Sequence, residues 1–331
     1  MSMDVVDNLI VSSRVRIARN LEGIPFKTKA KSAFDGVADT IRAKNRNFVS
    51  TKVADISSDM ARALFEQHLI SREFLDNKVN SIIVARNDNK VVVMLGEEDH
   101  IRIQSIQTGF DLKTAFDAAK KIADDVESEH EIAKRDAFGY LTCCPTNLGT
   151  GMRVSVMMFL PALTITNQMG HIIKQLGTQH ITVRGVYGEG SLAVGYMYQV
   201  SNQACFSMDA EKVIETVRSV TMQLGALEIK TQKALMKDSA DSIIDRVMRA
   251  WGILTHAHML SSNEGVELLA VLKLGVCLNI INFKNPRVLD DLFFVTQPNT
   301  LITVDERANT LAARDKIRAS RVAEVLRASR I

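Results

Sequence analysis

The sequence predicts an α+β fold, in which an antiparallel sheet flanked by helices is followed by a C-terminal all-α domain. Segments rich in β-branched residues follow one another closely between residues 80 and 107, and the turn signal NDN at 87–89 separates two of them as a hairpin. Helices and strands are mixed without strict alternation, which favours α+β over a doubly wound sheet. From about Lys237 onwards the pattern is helical.

The first predicted strand is VSSRVRIARN, at 11–20, and it alternates apolar residues with arginines. Arg14 and Arg16 are two residues apart, so a strand directs both side chains to one face, with Arg19 just beyond them at the strand's end. Arginines in these positions, rather than neutral polar residues, indicate that this face meets an anion.

Further elements are predicted on both sides of the hairpin. An amphipathic helix is expected at about Ser58 to Asp76, and another from about Asp111 to His130, with Asp111 as its N-cap. A helix near Ile165 to Leu176 and a long helix from about Met208 follow. Strands are predicted around them at the segments NSIIVAR, KVVVML, EDHIRIQSIQ, RVSVMMFL, ITVRGVY and VGYMYQVSN.

The chain has 331 residues, 46% of them hydrophobic, which is enough for about two domains with separate cores. We place the boundary near Lys233 to Ser239, giving a first domain at 1–235 and a helical domain at 236–331. A net charge of +3 excludes a polybasic nucleic-acid-binding protein. The four cysteines fit neither a disulfide framework nor a metal site, and no signal or membrane segment is visible, so a cytoplasmic protein is expected.

Five arginines lie on or beside predicted strands, where one sheet can gather them. The planar guanidinium binds phosphate oxygens with two parallel hydrogen bonds and stays charged at any working pH, so such a cluster suits a triphosphate. Taken singly, each arginine is more simply explained as a member of a surface salt bridge. The five are Arg14, Arg16, Arg102, Arg153 and Arg184.

The segment CCPTNLGTGMR, Cys143 to Arg153, combines cysteines, a glycine-rich loop and an arginine. Gly149 and Gly151 permit close backbone approach, although alone they predict only a tight turn. Together with EEDHIR and RGVYGE, this segment resembles the catalytic domain of the phosphagen (ATP:guanido) kinases, over about residues 8–235. The resemblance implies a phosphagen-kinase-like (glutamine-synthetase-like) fold, with ATP as the phosphoryl donor and Mg²⁺ as its cofactor.

The resemblance also implies roles for individual residues. The five arginines are expected to contact the nucleotide, and Glu98, Glu189 and Cys144 to handle the guanidine. Either glutamate can serve as the base, with Glu98 preferred, and a Cys144 thiolate would add negative charge beside the acceptor.

Two departures narrow the resemblance. The small-molecule phosphagen kinases carry an additional helical domain before the first arginine strand, which here begins near Met1, so we expect an open acceptor site. Met157 stands where a histidine near the adenine is usual, and YGEG replaces RGEH. Both features resemble the bacterial protein-arginine kinases of the McsB type, which phosphorylate arginine side chains within proteins.

The segment RDKIRA, Arg314 to Ala319, resembles the motif that forms an allosteric phosphoarginine pocket in that family. On a helix Arg314 and Arg318 face the same way and can hold one phosphate, while Asp315 meets a guanidinium edge. Without the resemblance, a solvated helix with an Asp315–Arg318 pair is the simpler interpretation.

The family further implies a homodimer and a zinc-containing activator protein. It also implies a stress-response role through a Clp chaperone-protease, which degrades marked proteins, and a heat-shock repressor. Two other functions remain open from the sequence: a kinase for a small free guanidine, and a non-catalytic phosphoarginine-binding adaptor. The intact set of Glu98, Cys144 and Glu189 argues against the adaptor.

Overall fold

The computed structural model describes residues 8–27, 30–76, 79–185, 194–203 and 208–331. Its centre is an eight-stranded sheet in the order β2-β3-β4-β5-β1-β8-β10-β9, and every neighbouring pair is antiparallel. A separate two-stranded ribbon pairs β6 with β7. The strands are β1 (Ile10–Arg19), β2 (Phe48–Lys52), β3 (Ile82–Arg86), β4 (Val91–Leu95), β5 (Ile101–Thr108), β6 (Lys134–Arg135), β7 (Gly139–Tyr140), β8 (Met152–Phe159), β9 (Ile181–Gly185) and β10 (Met197–Asn202).

The arginine strand β1 lies in the middle of the sheet, between β5 and β8. Val15 and Ile17 are buried in the main hydrophobic core, whereas Arg14 and Arg16 alternate with them and are half-buried. The period of two predicted from the sequence therefore separates a core face from a charged face, because successive side chains of a strand point to opposite sides. The hairpin predicted at residues 87–89 joins β3 to β4.

Helices flank the sheet and form the C-terminal region. The helix α4 begins after the predicted cap, since the Thr114 N–H donates to Asp111 Oδ1 at 3.0 Å. The helices are α1 (Lys31–Lys44), α2 (Ser58–Glu66), α3 (Arg72–Asp76), α4 (Leu112–Glu127), α5 (Pro161–Ile165), α6 (Met169–Gly177), α7 (Ala210–His256), α8 (Ser262–Cys277), α9 (Val288–Val295), α10 (Pro298–Val304) and α11 (Leu311–Ser329).

Two predicted helices are each divided in the structure. The helix expected at 58–76 is two helices, α2 and α3, because His68 between them has a left-handed φ of 59° and the Phe74 N–H donates to Ser71 Oγ at 3.1 Å, starting α3 anew. The helix expected near 165–176 is α5 and α6, separated at Asn167, whose φ is 57°. Both predictions of one continuous helix are wrong.

Two main cores lie on opposite faces of the sheet. One packs β-strand residues such as Val15 against α1 and α4, and the other joins the C-terminal helices to the opposite side of the sheet through Met157 and Phe159. The long helix α7 passes through both cores and departs from helical geometry at Ser239, with φ −145° and ψ 32°. Within the described ranges, no helix combines the length and apolar character that crossing a bilayer requires.

Candidate active site

Four of the five predicted arginines lie on three adjacent strands of the sheet. Arg14 and Arg16 are on β1, and strand register places Arg16 opposite Arg153 of β8, while Arg102 of β5 is opposite Ala18. Burial, followed by the neighbouring charges of Arg102 and Arg153, lowers the pKa of Arg14. Burial and the same neighbours lower the pKa of Arg16. This concentration of like charge favours the binding of a polyanion.

A small cavity brings these arginines together with two of the predicted acceptor residues. It has a volume of about 110 Å³, and its lining includes Arg16, Arg102 and Arg153 together with Glu98 and Cys144. Cations suited to phosphate and a carboxylate suited to a guanidinium therefore meet in one space.

Glu98 lies in the loop between β4 and β5 and is half-buried. Burial raises the pKa of its carboxyl group, and the negative charges of Asp99, Glu97 and Glu73 raise it further, against the opposing effect of Arg102. A carboxylate whose pKa is raised accepts a proton more readily than an ordinary glutamate, which suits a general base.

Glu97 next to it has a different role. Its side chain is buried and accepts hydrogen bonds from Arg102 and Ser71, while its Oε2 has no partner among the described residues. This ion pair holds Arg102 at the cavity wall, so Glu97 acts through the arginine. Sequence reasoning did not single out Glu97, although it directly precedes Glu98.

Cys144 lies at the start of a short 3-10 turn, Pro145–Asn147, and is half-buried. Its Sγ is 3.0 Å from the hydroxyl oxygen of Thr146. Cys143, by contrast, does not line the cavity, and burial raises the pKa of its thiol. Of the two adjacent cysteines, the second therefore lines the cavity.

The glycine-rich loop reaches β1 only because its last glycine has no side chain. Gly151 has a left-handed φ of 67°, and a Cβ at this position would lie 2.6 Å from the carbonyl oxygen of Ala18 and 2.7 Å from Arg19 Nη1. The Ala18 N–H donates to the Gly151 carbonyl at 2.8 Å. A close backbone approach, one of the properties expected of this loop, is therefore observed.

The buried side chain of Arg19 holds the same loop in place. Its Nη1 donates to the carbonyl of Thr150 at 3.0 Å, its Nε donates to Glu127 Oε1 at 2.7 Å, and its guanidinium carbon lies 3.3 Å from the ring centroid of Tyr140. The third arginine of the opening strand is consequently buried and structural, and it does not line the cavity.

A buried polar cluster connects the loop of Glu98 to the loop of Cys144. Asn20 Nδ2 and the Cys143 N–H both donate to Asp99 Oδ1 at 2.7 Å, and the His100 N–H donates to Asn20 Oδ1 at 2.8 Å. Asn20 is 0% and Asp99 2% exposed, so the cluster holds both loops in fixed positions without contact with bulk solvent. Asn20 belongs to the segment ARN, and Asp99 and His100 belong to EEDH, but the sequence pattern did not predict that they would form a cluster.

For the remaining two predicted residues, Arg184 and Glu189, the structure describes the position of the first alone. Arg184 lies on the edge strand β9, opposite Gln199 of β10, and is exposed outside the described lining of the cavity. Glu189 falls in 186–193, outside the described residues. The roles of both stay predictions.

The three predicted residues of the C-terminal motif lie on α11 and differ in exposure. Arg318 is 1% exposed and donates to the carbonyls of Thr296 at 2.8 Å and Leu260 at 2.7 Å, and to Asp315 Oδ1 at 2.6 Å. Arg314 is partly exposed, and its Nε has no hydrogen-bond partner among the described residues. The Asp315–Arg318 pair therefore has a structural role, and the binding of a phosphate by Arg314 stays a prediction.

No group of three or more histidine, cysteine, aspartate or glutamate side chains is placed to hold a metal ion in the described part of the chain.

Comparison with known proteins identifies the family. Residues 28–231 match the family model of the ATP:guanido phosphotransferase C-terminal catalytic domain, and residues 240–330 match that of the protein-arginine kinase McsB C-terminal domain. The protein-arginine kinase of Bacillus pumilus is 38% identical over 331 residues, covering 97% of this chain and 90% of the relative. This chain belongs to the protein-arginine kinase family. Its counterpart in Bacillus subtilis is 37% identical over 328 residues, covering 96% and 90% of the two chains.

Solved structures resemble the kinase in fold. The crystal structure of lombricine kinase has a TM-score of 0.58 and 22% identity, covering 67% of this chain and 66% of that one. The duplicated taurocyamine kinase of Schistosoma mansoni with bound transition state analog components has a TM-score of 0.62 and 22% identity, covering 75% and 38%. The predicted phosphagen-kinase fold, the helical C-terminal region and the family resemblance are thus confirmed.

The kinase is accordingly a phosphotransferase with a guanidino group as acceptor, and its family implies ATP as the phosphoryl donor.

Proposed function

We propose that ATP lies along the arginine face with its phosphates between Arg16, Arg102 and Arg153, and that an arginine of a protein substrate enters beside Glu98 and Cys144. The single cavity lined by all five residues carries this proposal. Arg14 extends the same face towards the nucleoside. Arg184 and Glu189, carried over from the family resemblance, are proposed as a further nucleotide contact and a further guanidine contact.

The chemical difficulty of the reaction is the protonated acceptor. A guanidinium has no free lone pair, and with a reference pKa of ~12.5–13.8 its deprotonation at pH 7 costs on the order of 7–9 kcal/mol. Glu98 can orient the guanidinium by hydrogen bonding and accept its proton as the nitrogen–phosphorus bond forms. The bond between the γ-phosphorus and the bridging oxygen breaks in the same displacement, and ADP leaves with that oxygen.

The arginines stabilise the charge that spreads over the transferred phosphoryl group. Arg16, Arg102 and Arg153 are held by the sheet and by Glu97, so little reorganisation is needed during transfer. Cys144 would place a polarisable sulfur, and negative charge when ionised, against the acceptor and help to orient it. Catalysis in this proposal is alignment and electrostatic stabilisation, without a covalent enzyme intermediate.

Mg²⁺ is proposed to arrive with the nucleotide. It prefers phosphate oxygens, waters and one or two carboxylates to a cage built from protein groups. The described residues contain no such cage, but they place Glu97 and Glu98 beside the arginines that would hold the phosphates. The ion would shield the phosphate charges, and the protein groups would orient the chain of phosphates.

We also propose an allosteric role for the C-terminal motif. Arg314 would receive the phosphate of a phosphoarginine, while the buried Arg318 and Asp315 hold α11 to neighbouring chain segments.

The break in α7 at Ser239 supports the proposed boundary between domains at 1–235 and 236–331. Ile244 and Met248, one turn apart on α7 and exposed, are consistent with the proposed homodimer.

The cellular partners are proposed from the family alone. They are a zinc-containing activator protein, a Clp chaperone-protease that degrades the marked proteins, and a heat-shock repressor, all in the cytoplasm. Of these partners, the Clp chaperone-protease would act on the proteins that carry phosphoarginine.

The active-site proposal is tested by comparing Arg16→Ala with Glu98→Gln. Arg16→Ala should weaken MgADP binding, measured by calorimetry, because a phosphate contact is lost. Glu98→Gln should bind MgADP as the wild type does but lose phosphoryl transfer to a protein substrate, because only the base is removed. If both variants lose nucleotide affinity equally, or if Glu98→Gln remains active, the assignment of the two ends of the cavity is wrong.

A further inference from the structure

One carboxylate connects the end of α2 to the C-terminal helices. Glu66 is the last residue of α2, and both of its oxygens accept hydrogen bonds from the start of α10, 233 residues further along the chain. The Asn299 N–H lies 3.1 Å from Oε1 and 3.0 Å from Oε2, and the Thr300 N–H donates to Oε2 at 2.7 Å. The side chains of Asn299 and Thr300 donate to the same carboxylate. Hydrogen bonds to an ionised acceptor are strong, so this contact fixes the two segments against each other.

The C-terminal end of this connection is itself held by the buried Arg318. Its Nε donates to the carbonyl of Thr296 at 2.8 Å, four residues before Thr300. Burial lowers the pKa of Arg318, whereas the negative charges of Asp315 and Glu66 oppose that shift. The stretch 296–300 is therefore attached to α11 at one end and to α2 at the other.

The other end of the connection reaches the first cavity through Ser71. Ser71 lies five residues after Glu66, and its Oγ donates to Oε1 of the buried Glu97. The same oxygen accepts from Arg102, which lines the cavity. The orientation of Arg102 therefore depends on a carboxylate whose position is partly set by the Ser71 hydroxyl.

The residues between Glu66 and Ser71 form one packed unit. Leu69 and Ile70 are buried in a small core with residues of β4. The sheet holds this unit from one side, and the Glu66 carboxylate holds it from the side of α10. Removing the carboxylate would leave the position of the Ser71 hydroxyl to the contacts with the sheet.

We propose that Glu66 is a positioning residue, through which the C-terminal helices hold Arg102 in the orientation that binds phosphate. The Glu66 carboxylate fixes the packed unit, and the unit fixes the hydroxyl that shares Glu97 with Arg102. Hydrogen bonds in a buried network strengthen one another, so the loss of one member loosens the others. The inference rests on the proposed placement of the phosphates. It assigns to the C-terminal helices a role in phosphate binding that is separate from the phosphoarginine site.

The test is a double-mutant cycle in the intact chain, with Ser71→Ala as the second substitution. The affinities for inorganic tripolyphosphate and for MgADP are measured by calorimetry for the wild type, Glu66→Ala, Ser71→Ala, the double variant and the matched control Asp59→Ala. Asp59→Ala removes an exposed carboxylate from the same helix α2. Glu66→Gln keeps the size of the side chain and one acceptor oxygen, and it replaces Glu66→Ala if melting temperatures show that the alanine variant is unfolded.

We expect Glu66→Ala and Ser71→Ala each to weaken tripolyphosphate binding about three- to tenfold, and MgADP binding by a similar factor. The double variant should bind no more weakly than the weaker of the two single variants, because both substitutions interrupt the same connection to Arg102. Asp59→Ala should bind both ligands as the wild type does.

Three results would overturn the proposal. Unchanged tripolyphosphate affinity in the folded Glu66 variant would show that the carboxylate does not position Arg102. Losses that multiply in the double variant would show that Glu66 and Ser71 act independently. A loss confined to MgADP would show that the substitution acts on a part of the nucleotide other than the phosphates. A failure of the underlying phosphate placement is distinguishable, because Arg102→Ala would then leave tripolyphosphate binding intact.

Discussion

Arg19 offers the sharpest test of how the glycine-rich loop is held in place. We consider Arg19→Met, which keeps a long apolar side chain but removes the ion pair with Glu127 at 2.7 Å and the hydrogen bonds to the carbonyls of Ala18 at 2.8 Å and Thr150 at 3.0 Å. It also removes the stacking of the guanidinium on Tyr140.

The expected loss of stability follows from burial. The Arg19 side chain is 7% and the Glu127 side chain 27% exposed. Removing one partner of a buried pair costs about 3–5 kcal/mol. Glu127 keeps some solvent and still accepts from the Tyr140 hydroxyl at 2.8 Å, so we expect a loss at the lower limit, about 3 kcal/mol.

The matched control is Arg135→Met. Arg135 makes an ion pair of the same type with Glu22 at 2.8 Å, but the two side chains are 54% and 36% exposed. Exposed pairs contribute little, so this variant should unfold in urea much as the wild type does.

Arg19→Met should also lower kcat at least about tenfold, with a smaller change in the KM for ATP, because the loop of Cys144 is displaced while Arg14 and Arg16 remain. A stability and kcat for Arg19→Met no lower than those of Arg135→Met would refute this reasoning.

Three further predictions concern single residues. Glu98→Gln should raise the melting temperature at pH 7, because the raised pKa of Glu98 means that its ionised form destabilises the folded state. In scanning calorimetry this gain in melting temperature should vanish as the pH falls below the ordinary pKa of glutamate. Gly151→Ala should destabilise by about 2 kcal/mol in urea unfolding, since its φ is 67°, whereas Gly252→Ala, in an open helical position, should stabilise slightly. Arg318→Met should lower the free energy of unfolding by about 3 kcal/mol. Arg314→Met should unfold like the wild type, but phosphoarginine should no longer stimulate its kinase activity. Equal stability of these two variants would contradict the roles assigned to them.

Periodicity predicted the parts of the site that depend on strand geometry. Arg14 and Arg16 share a face because side chains alternate along β1, and the neighbouring strands bring Arg102 and Arg153 beside them. Sequence spacing does not determine which strands become neighbours, and the antiparallel sheet places β8 next to β1 although about 130 residues separate them.

Local pattern was a poor guide where tertiary contacts decided the outcome. The division between α2 and α3 depends on the left-handed backbone of His68, which an apolar repeat does not reveal. Arg318 was expected to face a ligand with Arg314, yet it is buried because carbonyls of Leu260 and Thr296, distant in the chain, accept its hydrogen bonds. Hydrogen-bonding partners this far apart cannot be read from the helix alone.

The proposed phosphorylation of arginine side chains in proteins is tested most directly by locating the transferred phosphate. The protein is incubated with Mg-ATP and either a basic protein or free arginine, and the products are analysed by mass spectrometry under non-acidic conditions, with Glu98→Gln in parallel. We expect acid-labile phosphate on arginine side chains of the protein substrate, and none with Glu98→Gln. Phosphate on free arginine alone, or undiminished protein phosphorylation by Glu98→Gln, would contradict the account.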